Sequence, residues 1–327
     1  MRARLSRGQD GSRARVFNVP MAAIIESTVV EPLAFTPFPA WPGQEESRGI
    51  FVRRTPVLSE TATRTVYVHG LGGSSPNWTD LMGLRMPSSP GIALDLPGFG
   101  FSAPASRHTL QAHADAVIRL LDDERCGPVD LVGNSMGGAA SVLVAAQRPD
   151  LVRTLTLLGP ALPGQPPRLA HLPILLSGVP GVRDKMREMT LRQTPSQRMQ
   201  GLLDLIYYDS SCVTPERRAE GIAELQRRDE LPYTWTAFSE SAQSLGSAVL
   251  KRRGAQLWQA LQRVPAPVLA VFGAHDKLVH VGIAPKVARR IQRGRVVVMP
   301  RMGHVPQMED PVQVADLMAA FEREFVG

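Results

Sequence analysis

The chain contains a series of short apolar segments, each followed by a glycine or proline turn signal. The six strongest segments are residues 65–70, 91–98, 129–134, 152–159, 267–273 and 295–300. Apolar and polar positions hardly alternate within them, which is typical of strands buried on both faces of a sheet. Segments with a helical period lie between them, at residues 110–124, 136–148, 284–292 and 311–325. Weaker runs near residues 27–35 and 48–53 indicate an antiparallel hairpin at the entry. The alternation of strands and helices predicts an α/β fold with a mostly parallel, doubly wound sheet.

The alternation stops between residues 161 and 250, where the sequence has a helical period broken by proline and glycine. A helical insertion between two strands of one sheet is expected to form a cap over the carboxyl ends of the strands, where open α/β sheets bind ligands. We therefore expect a disordered tail at residues 1–20, a core at residues 21–160 and 251–327, and a helical cap at residues 161–250.

The composition is that of an ordinary globular protein, with 327 residues, of which 43% are hydrophobic and 20% are charged. Cys126 and Cys212 are too few for a disulfide scaffold or a cysteine zinc cage. No apolar run approaches the roughly 18 residues of a membrane span. The histidines show no metal-ligand spacing, so we expect no metal and no cofactor.

The net charge of +7 does not indicate a nucleic-acid partner. Residues 1–20 alone contain five arginines and one acidic residue. The remainder of the chain is therefore only weakly basic, and it has no basic patch interleaved with aromatic residues. The apolar run that starts at Met21 is interrupted by Glu26, so it is too short for an export signal. We expect a cytoplasmic protein, a monomer or homodimer, whose first residue is either Met1 or Met21.

The sharpest local motif is Gly-Asn-Ser-Met-Gly-Gly at residues 133–138, which follows an apolar strand and opens a helix rich in small residues. This context is typical of a nucleophile elbow, in which a serine lies in a strained turn with its hydroxyl exposed. Gly133 and Gly137 supply the neighbours without side chains that such a turn requires. We predict that Ser135 is a nucleophile.

A serine nucleophile needs a histidine base and an acid that orients it, and on this architecture the chain order is serine, acid, histidine. Asp276 follows the strand that ends at Gly273, and His304 follows the next strand. Because the carboxyl ends of parallel strands meet at one rim, we predict that Asp276 and His304 complete a triad with Ser135. We expect His275 to be exposed or to face the cap, and the same for His280.

The glycine-rich segment His69-Gly-Leu-Gly-Gly-Ser74 directly follows a strand. We predict that the backbone N–H groups of Leu71 and Met136 form an oxyanion hole, since a tetrahedral oxyanion needs two donors. His69 is expected to have a structural role, and Asp95 to shape a turn.

Five motifs resemble the α/β-hydrolase superfamily in their order: His69-Gly-Leu-Gly-Gly, Asp95-Leu-Pro-Gly-Phe-Gly, Gly133-Asn-Ser-Met-Gly-Gly, Gly273-Ala-His-Asp and Gly303-His-Val-Pro-Gln-Met-Glu-Asp-Pro. The resemblance extends from about residue 27 to residue 325. It implies the α/β-hydrolase fold of the serine branch, a Ser135–His304–Asp276 triad, an oxyanion hole from Leu71 and Met136, and a helical cap.

The subfamily is less sharply defined. The elbow sequence resembles that of the C–C bond hydrolases that cleave meta-cleavage products. That subfamily usually has a tryptophan after the catalytic histidine, where this chain has Val305, and a cap arginine that binds a substrate carboxylate. The candidate cap arginines are Arg168, Arg183, Arg187 and Arg192.

The preferred function is therefore a carboxylesterase-like serine hydrolase (EC 3.1.1) that acts on an ester of a small apolar substrate or a related carbonyl compound. The alternatives are a C–C hydrolase and a ligand-binding member of the fold without catalysis. The cap run Leu202 to Tyr208 has the apolar character of a substrate pocket, but it is equally typical of the packed core of a cap.

Overall fold

A computed structural model describes residues 22–26, 35–46, 49–125, 127–164, 176, 179, 181–250 and 254–326. Several predictions fall on residues outside these ranges, namely the tail at 1–20, most of the weak run at 27–35, Cys126 and Arg168.

The described residues form one sheet of nine strands, in the order β1-β9-β8-β7-β6-β4-β5-β3-β2. The strands are β1 (Ala22–Glu26), β2 (Gly43–Glu45), β3 (Phe51–Arg54), β4 (Thr65–Val68), β5 (Gly91–Leu94), β6 (Val129–Asn134), β7 (Val152–Leu158), β8 (Val268–Gly273) and β9 (Gly294–Met299). All neighbouring strands are parallel except the pairs that involve β2 and β3. The predicted fold class is confirmed.

The described residues also form eleven α-helices. They are α1 (Thr79–Arg85), α2 (Leu110–Glu124), α3 (Met136–Gln147), α4 (Val182–Leu191), α5 (Pro195–Ile206), α6 (Pro215–Glu230), α7 (Thr234–Leu250), α8 (Gly254–Arg263), α9 (Ala284–Ala288), α10 (Pro306–Glu309) and α11 (Pro311–Phe325). Every residue of β4, β6 and β8 is buried. This burial explains why those segments are apolar without alternation.

Two sequence predictions need correction at the ends of elements. The entry hairpin is formed by β2 and β3, so it begins later than the weak run at 27–35 indicated, while β1 lies at the opposite edge and pairs in parallel with β9. The helix predicted at residues 284–292 ends at Ala288, because the chain must turn there to enter β9. That turn is held by the N–H groups of Arg290 and Ile291, which donate to the carbonyl of Val287.

Helices α4 to α7 lie between β7 and β8, and the described part of this segment contains no strand. We call residues 181–250 the helical insert. Its helix α6 has no buried residue. Arginines attach α6 to the core instead: Arg217 forms an ion pair with Asp80, and Arg227 donates to the carbonyl of Gly100.

None of the helices formed by the described residues has both the length and the apolar character needed to cross a membrane.

Candidate active site

Ser135 lies between the end of β6 and the first residue of α3, with φ 52° and ψ −115°. This conformation is strained for a residue with a side chain, and it persists because the surrounding backbone holds it. The Ser135 N–H donates to the carbonyl of Leu158 at 3.1 Å, and the Ser135 carbonyl accepts from Ala139 at 3.1 Å and Ala161 at 3.0 Å. The turn therefore fixes the serine at the carboxyl end of the sheet.

Two glycines make this turn sterically possible. A Cβ atom on Gly133 would lie 2.6 Å from the carbonyl oxygen of Gly137, and one on Gly137 would lie 2.2 Å from the carbonyl oxygen of Val68. The helix and the strands are thus packed backbone against backbone, and any side chain at either position would displace Ser135.

Asp276 and His304 are joined by a hydrogen bond of 2.8 Å between Asp276 Oδ2 and His304 Nδ1. Their side chains are only 1% and 5% exposed, so water scarcely competes for this bond. The other carboxylate oxygen, Oδ1, accepts from the N–H groups of Leu278 at 2.7 Å and Val279 at 2.8 Å. These bonds fix the orientation of the carboxylate and, through it, of the imidazole.

Ser135 and His304 line one cavity of about 270 Å³. No hydrogen bond joins the Ser135 hydroxyl to the His304 ring. Such bonds are often long in the absence of substrate and tighten when it binds. The structure therefore brings all three predicted triad residues to the same rim of the sheet, with the acid–histidine bond already formed.

The glycine-rich segment after β4 forms a tight turn in the wall of the same cavity. The N–H of Gly73 donates to the carbonyl of Gly70 at 3.0 Å, and Gly72 has φ +74°, a conformation that favours glycine. Leu71 lies at the centre of this turn and lines the cavity. Met136 is the first residue of α3, so its N–H has no acceptor within the helix and points toward the helix N-terminus.

The rest of the cavity is mostly apolar, apart from Asn77 and Asn134. The insert contributes Leu202, Leu205, Ile206, Phe238, Ala242, Leu245, Gly246 and Val249, and the core contributes Ala161, Leu278, Val279, Val305 and Met308. Among the described residues that line the cavity, no side chain is charged. The environment suits an uncharged, apolar group.

The insert run at residues 202–208 combines both roles that the sequence allowed. Leu202, Leu205 and Ile206 line the cavity, whereas Leu203 and Tyr207 are buried in the core of the insert. Burial also raises the pKa of the Tyr207 phenol.

The loop that carries His304 is bonded to the insert. The His304 N–H donates to the carbonyl of Ile206 at 2.7 Å. The Glu309 carboxylate accepts from the N–H groups of Gly303 at 2.9 Å and Tyr208 at 2.7 Å. Burial raises the pKa of Glu309 even though these donors favour its charged form. A shift of the insert would therefore be transmitted to the His304 backbone.

Two residues that support the site were not identified from the sequence. The Asn134 side chain donates to the carbonyls of Leu158 at 2.9 Å and His304 at 3.1 Å. Gly159 has φ +50°, and a Cβ atom there would lie 3.3 Å from Asp276 Oδ2. The only sequence signal was position: Asn134 directly precedes Ser135, and Gly159 directly follows β7.

His69 and Asp95 have the structural environments that the sequence suggested. The N–H of Leu96 donates to His69 Nε2 at 2.9 Å, and burial lowers the pKa of His69. Asp95 accepts from the N–H groups of Ser75 at 2.6 Å and Phe101 at 2.8 Å. Both groups are fully buried and hold the loops beside the sheet.

The other histidines after β8 lie away from the cavity lining. His275 is exposed and contacts the ring of Tyr208, and His280 caps a short turn by accepting from the N–H of Gly282.

Three of the candidate cap arginines, Arg183, Arg187 and Arg192, do not line the cavity. Arg183 pairs with Asp184 and Arg192 pairs with Glu188 on the insert surface, and Arg187 is exposed. No group of three or more potential metal-ligating side chains is present in the part of the chain that was placed.

Comparison with known proteins supports the same architecture. The sequence model of a family described as "Alpha/beta hydrolase family" matches residues 65–317. The chain is 30% identical over 285 residues to the dihydrolipoyllysine-residue acetyltransferase component of the acetoin cleaving system of Pseudomonas putida, covering 86% of this chain and 70% of that protein. It is 29% identical over 280 residues to a pimeloyl-[acyl-carrier protein] methyl ester esterase of Neisseria meningitidis, covering 81% of this chain and 94% of that protein.

A similar fold is found in a meta-cleavage product hydrolase from Pseudomonas fluorescens, with a TM-score of 0.66 and 20% identity over 87% of this chain and 98% of that one. At this identity the likeness concerns the fold.

Proposed function

Because the chain belongs to the alpha/beta hydrolase family, we propose that it is a serine hydrolase that cleaves carboxylic esters of small, apolar substrates through an acyl-enzyme. The observation that carries this proposal is the strained conformation of Ser135 at the N-terminus of α3. His304 lines the same cavity, and Asp276 holds its ring by a 2.8 Å hydrogen bond. A surface serine in an ordinary turn would need neither the strain nor the buried acid–histidine pair.

In the first half of the reaction, His304 Nε2 accepts the hydroxyl proton as Ser135 Oγ attacks the ester carbonyl. Asp276 accepts a hydrogen bond from His304 Nδ1, which leaves Nε2 free to act as the base and stabilises the imidazolium that forms. The N–H groups of Leu71 and Met136 donate to the oxyanion, and loss of one such donor in other hydrolases costs about 3 kcal/mol of transition-state stabilisation.

The first half ends when the tetrahedral intermediate expels the alkoxide and His304 returns the proton to this leaving group, which leaves the acyl-enzyme. In the second half, a water molecule attacks the acyl-enzyme while His304 takes a proton from it. The second tetrahedral intermediate then collapses, Ser135 Oγ receives this proton from His304, and the carboxylic acid is released. No step requires a cofactor or a metal ion.

The apolar lining favours an ester over the substrate of a C–C hydrolase. A meta-cleavage product carries a carboxylate, and burying it without a cation would be unfavourable. No cation lines the cavity among the described residues, and Val305 stands beside His304. The Neisseria esterases, relatives at 29% identity, act on an ester according to their name.

The test is a panel of p-nitrophenyl esters with acyl chains of increasing length, assayed with the wild type, Ser135→Ala and Ser141→Ala. We expect Ser135→Ala to lower kcat by roughly 10⁴-fold or more. Ser141 lies on the same helix and is fully buried, and its hydroxyl has no hydrogen-bond partner among the described residues, so Ser141→Ala should keep its activity. Turnover that survives in Ser135→Ala would refute the mechanism. A wild type without turnover would favour a ligand-binding member of the fold, and preference for a vinylogous 1,5-diketone acid would favour the C–C hydrolase.

A further inference from the structure

Arg228 is a charged residue of helix α6 that the proposed reaction does not use. Its Nη1 group donates to the carbonyl oxygen of Gly72 at 2.8 Å, and the two residues are 156 positions apart in the sequence. Gly72 belongs to the Gly70–Gly73 turn, in which Leu71 lines the cavity. The helical insert thus makes a direct bond to the turn proposed as one side of the oxyanion hole.

The turn is also enclosed by the insert sterically. A Cβ atom on Gly72 would lie 3.3 Å from the ring of Phe238 on α7 and 3.7 Å from Nη2 of Arg228. Side chains from two insert helices, α6 and α7, therefore lie close to the same glycine. Because Gly72 has φ +74° and little space around it, the turn has few alternative conformations while the insert is seated.

Arg228 forms no salt bridge with a carboxylate in the described part of the chain. The two nearest acids on α6 are engaged by other arginines: Glu224 pairs with Arg227, and Asp229 pairs with Arg198. Arg228 is half-buried, and this burial lowers the pKa of its guanidinium. The guanidinium is therefore bonded to a backbone carbonyl of the turn and not to an acid of its own helix.

The positive charge of Arg228 acts on His69, which directly follows β4. The pKa of His69, directly before the turn, is lowered first by burial, and Arg228 adds to the lowering. A positive charge at this place favours negative charge that develops in the adjacent cavity during the reaction.

We propose that Arg228 is a positioning residue that holds the Gly70–Gly73 turn in the shape that presents Leu71 N–H to the oxyanion, so that the oxyanion hole is complete only when the insert is seated. This inference rests on the proposed function, because it concerns the same reaction. It assigns to the insert a part in transition-state stabilisation in addition to forming the substrate pocket.

Arg227 provides a matched control on the same helix. Its Nη2 group also donates to a core carbonyl, that of Gly100, and its guanidinium lies 4.1 Å from the ring centre of Phe101. Both arginines therefore attach α6 to the core, but only Arg228 contacts the turn at the cavity. A purely structural role would make the two substitutions similar in effect.

The experiment compares the wild type, Arg228→Met, Arg228→Lys and Arg227→Met in two assays. The first is steady-state hydrolysis of the best p-nitrophenyl ester. The second is inhibition by a trifluoromethyl ketone with the same acyl chain, which forms an oxyanion adduct with the serine. We expect Arg228→Met to lower kcat by about 30- to 100-fold with KM changed less than about threefold, since a misplaced donor loses most of its effect. The inhibition constant should rise by the same factor.

Arg228→Lys keeps the charge and one donor, and we expect it to recover at least a third of the wild-type kcat. Arg227→Met should leave kcat and the inhibition constant within about threefold of the wild type. The inference is overturned if the two methionine variants behave alike, or if Arg228→Met raises KM and leaves inhibitor binding unchanged. Should Arg228→Met fail to fold by circular dichroism, Arg228→Gln replaces it in the same comparison with Arg227→Met. A kcat at least tenfold below that of Arg227→Met supports the inference, and equal kcat values for the two variants overturn it. A wild type without turnover that depends on Ser135 would instead refute the proposed function itself.

Discussion

The backbone N–H of His304 donates to the carbonyl oxygen of Ile206 at 2.7 Å, which joins the loop of the imidazole to the last turn of α5. The preceding residue, Gly303, lies so close to the insert that a Cβ atom would be 2.6 Å from the carbonyl oxygen of Ile206 and 2.6 Å from the nitrogen of Tyr208. The position of the insert and the position of His304 are therefore coupled.

Gly303→Ala should consequently impair both stability and turnover. The added methyl group has to push the insert backbone away from the loop, because both of the atoms that it meets are backbone atoms. We expect the free energy of unfolding to fall by about 1–3 kcal/mol, which is typical of overpacking. We also expect kcat to fall by about 10- to 100-fold, because a shift near 1 Å at a reacting group has effects of this size. Chemical denaturation and ester hydrolysis measure the two effects.

Gly201→Ala is the matched glycine control. Gly201 lies within α5, and a Cβ atom there would meet nothing within 4 Å. Alanine is favoured over glycine inside a helix by about 0.5–1 kcal/mol, so this variant should be more stable than the wild type with unchanged kcat. If Gly303→Ala behaved like Gly201→Ala, the coupling between insert and histidine loop would be absent.

Asp276→Asn should lower kcat by about 10⁴-fold, which is the loss measured for the same substitution of the triad acid in a serine protease. The asparagine oxygen can still accept from Leu278 and Val279, but its amide then faces His304 Nδ1 and favours the wrong tautomer. KM should change little, since the carboxylate does not line the cavity. Steady-state kinetics check this prediction, and a loss below tenfold would show that another group orients His304.

Ala242→Leu and Leu205→Ala should shift the acyl-chain preference in opposite directions. Both residues line the apolar cavity, which has about 270 Å³ of free space. The larger side chain at Ala242 fills the part of the cavity next to α7, so we expect kcat/KM to fall for long acyl chains and to be retained for acetate esters. The smaller side chain at Leu205 makes room for about three more methylene-sized groups, each with a transfer free energy of about 0.8 kcal/mol.

The ester series for the two variants measures this shift. If both variants shifted the acyl-chain preference in the same direction, the acyl chain would lie elsewhere in the cavity, for instance toward Met308 on α10.

His113 should make the protein less stable in mild acid. Burial, followed by the charges of His69 and His108, lowers its pKa from 6.5 to about 3. The folded protein therefore keeps this ring neutral while the unfolded chain takes up a proton below pH 6.5, and stability is lost progressively as the pH falls from 6.5 toward 3. Between pH 7 and pH 5 this amounts to about 2 kcal/mol of unfolding free energy.

We expect His113→Gln to remove this part of the pH dependence. Its free energy of unfolding should fall by about 2 kcal/mol less than that of the wild type between pH 7 and pH 5. His275→Gln, at an exposed position, should retain the wild-type pH dependence. Urea denaturation at the two pH values gives the comparison, and equal slopes for His113→Gln and the wild type would show that His113 is not held neutral by the fold.

The sequence alone determined those features that depend on a local run of residues. Apolar segments without alternation specify buried parallel strands, and the boundaries of α2 and α11 were predicted to the residue. The small residues around Ser135 specify a strained turn between strand and helix, because only glycine permits the backbone contacts that surround it. Chain order and strand ends then indicated Asp276 and His304 as its partners.

Only the tertiary structure decided how distant segments meet. Three features leave no local pattern in the sequence, because each is set by the packing of the insert on the sheet. They are the bond of Arg228 to Gly72, the bond of His304 to Ile206, and the division of the leucines at 202–205 between the cavity and the core of the insert. The pairing of β1 with β9 belongs to the same group. Short-range propensity and periodicity constrain each element, whereas the relative placement of elements depends on surfaces that the sequence brings together only after folding.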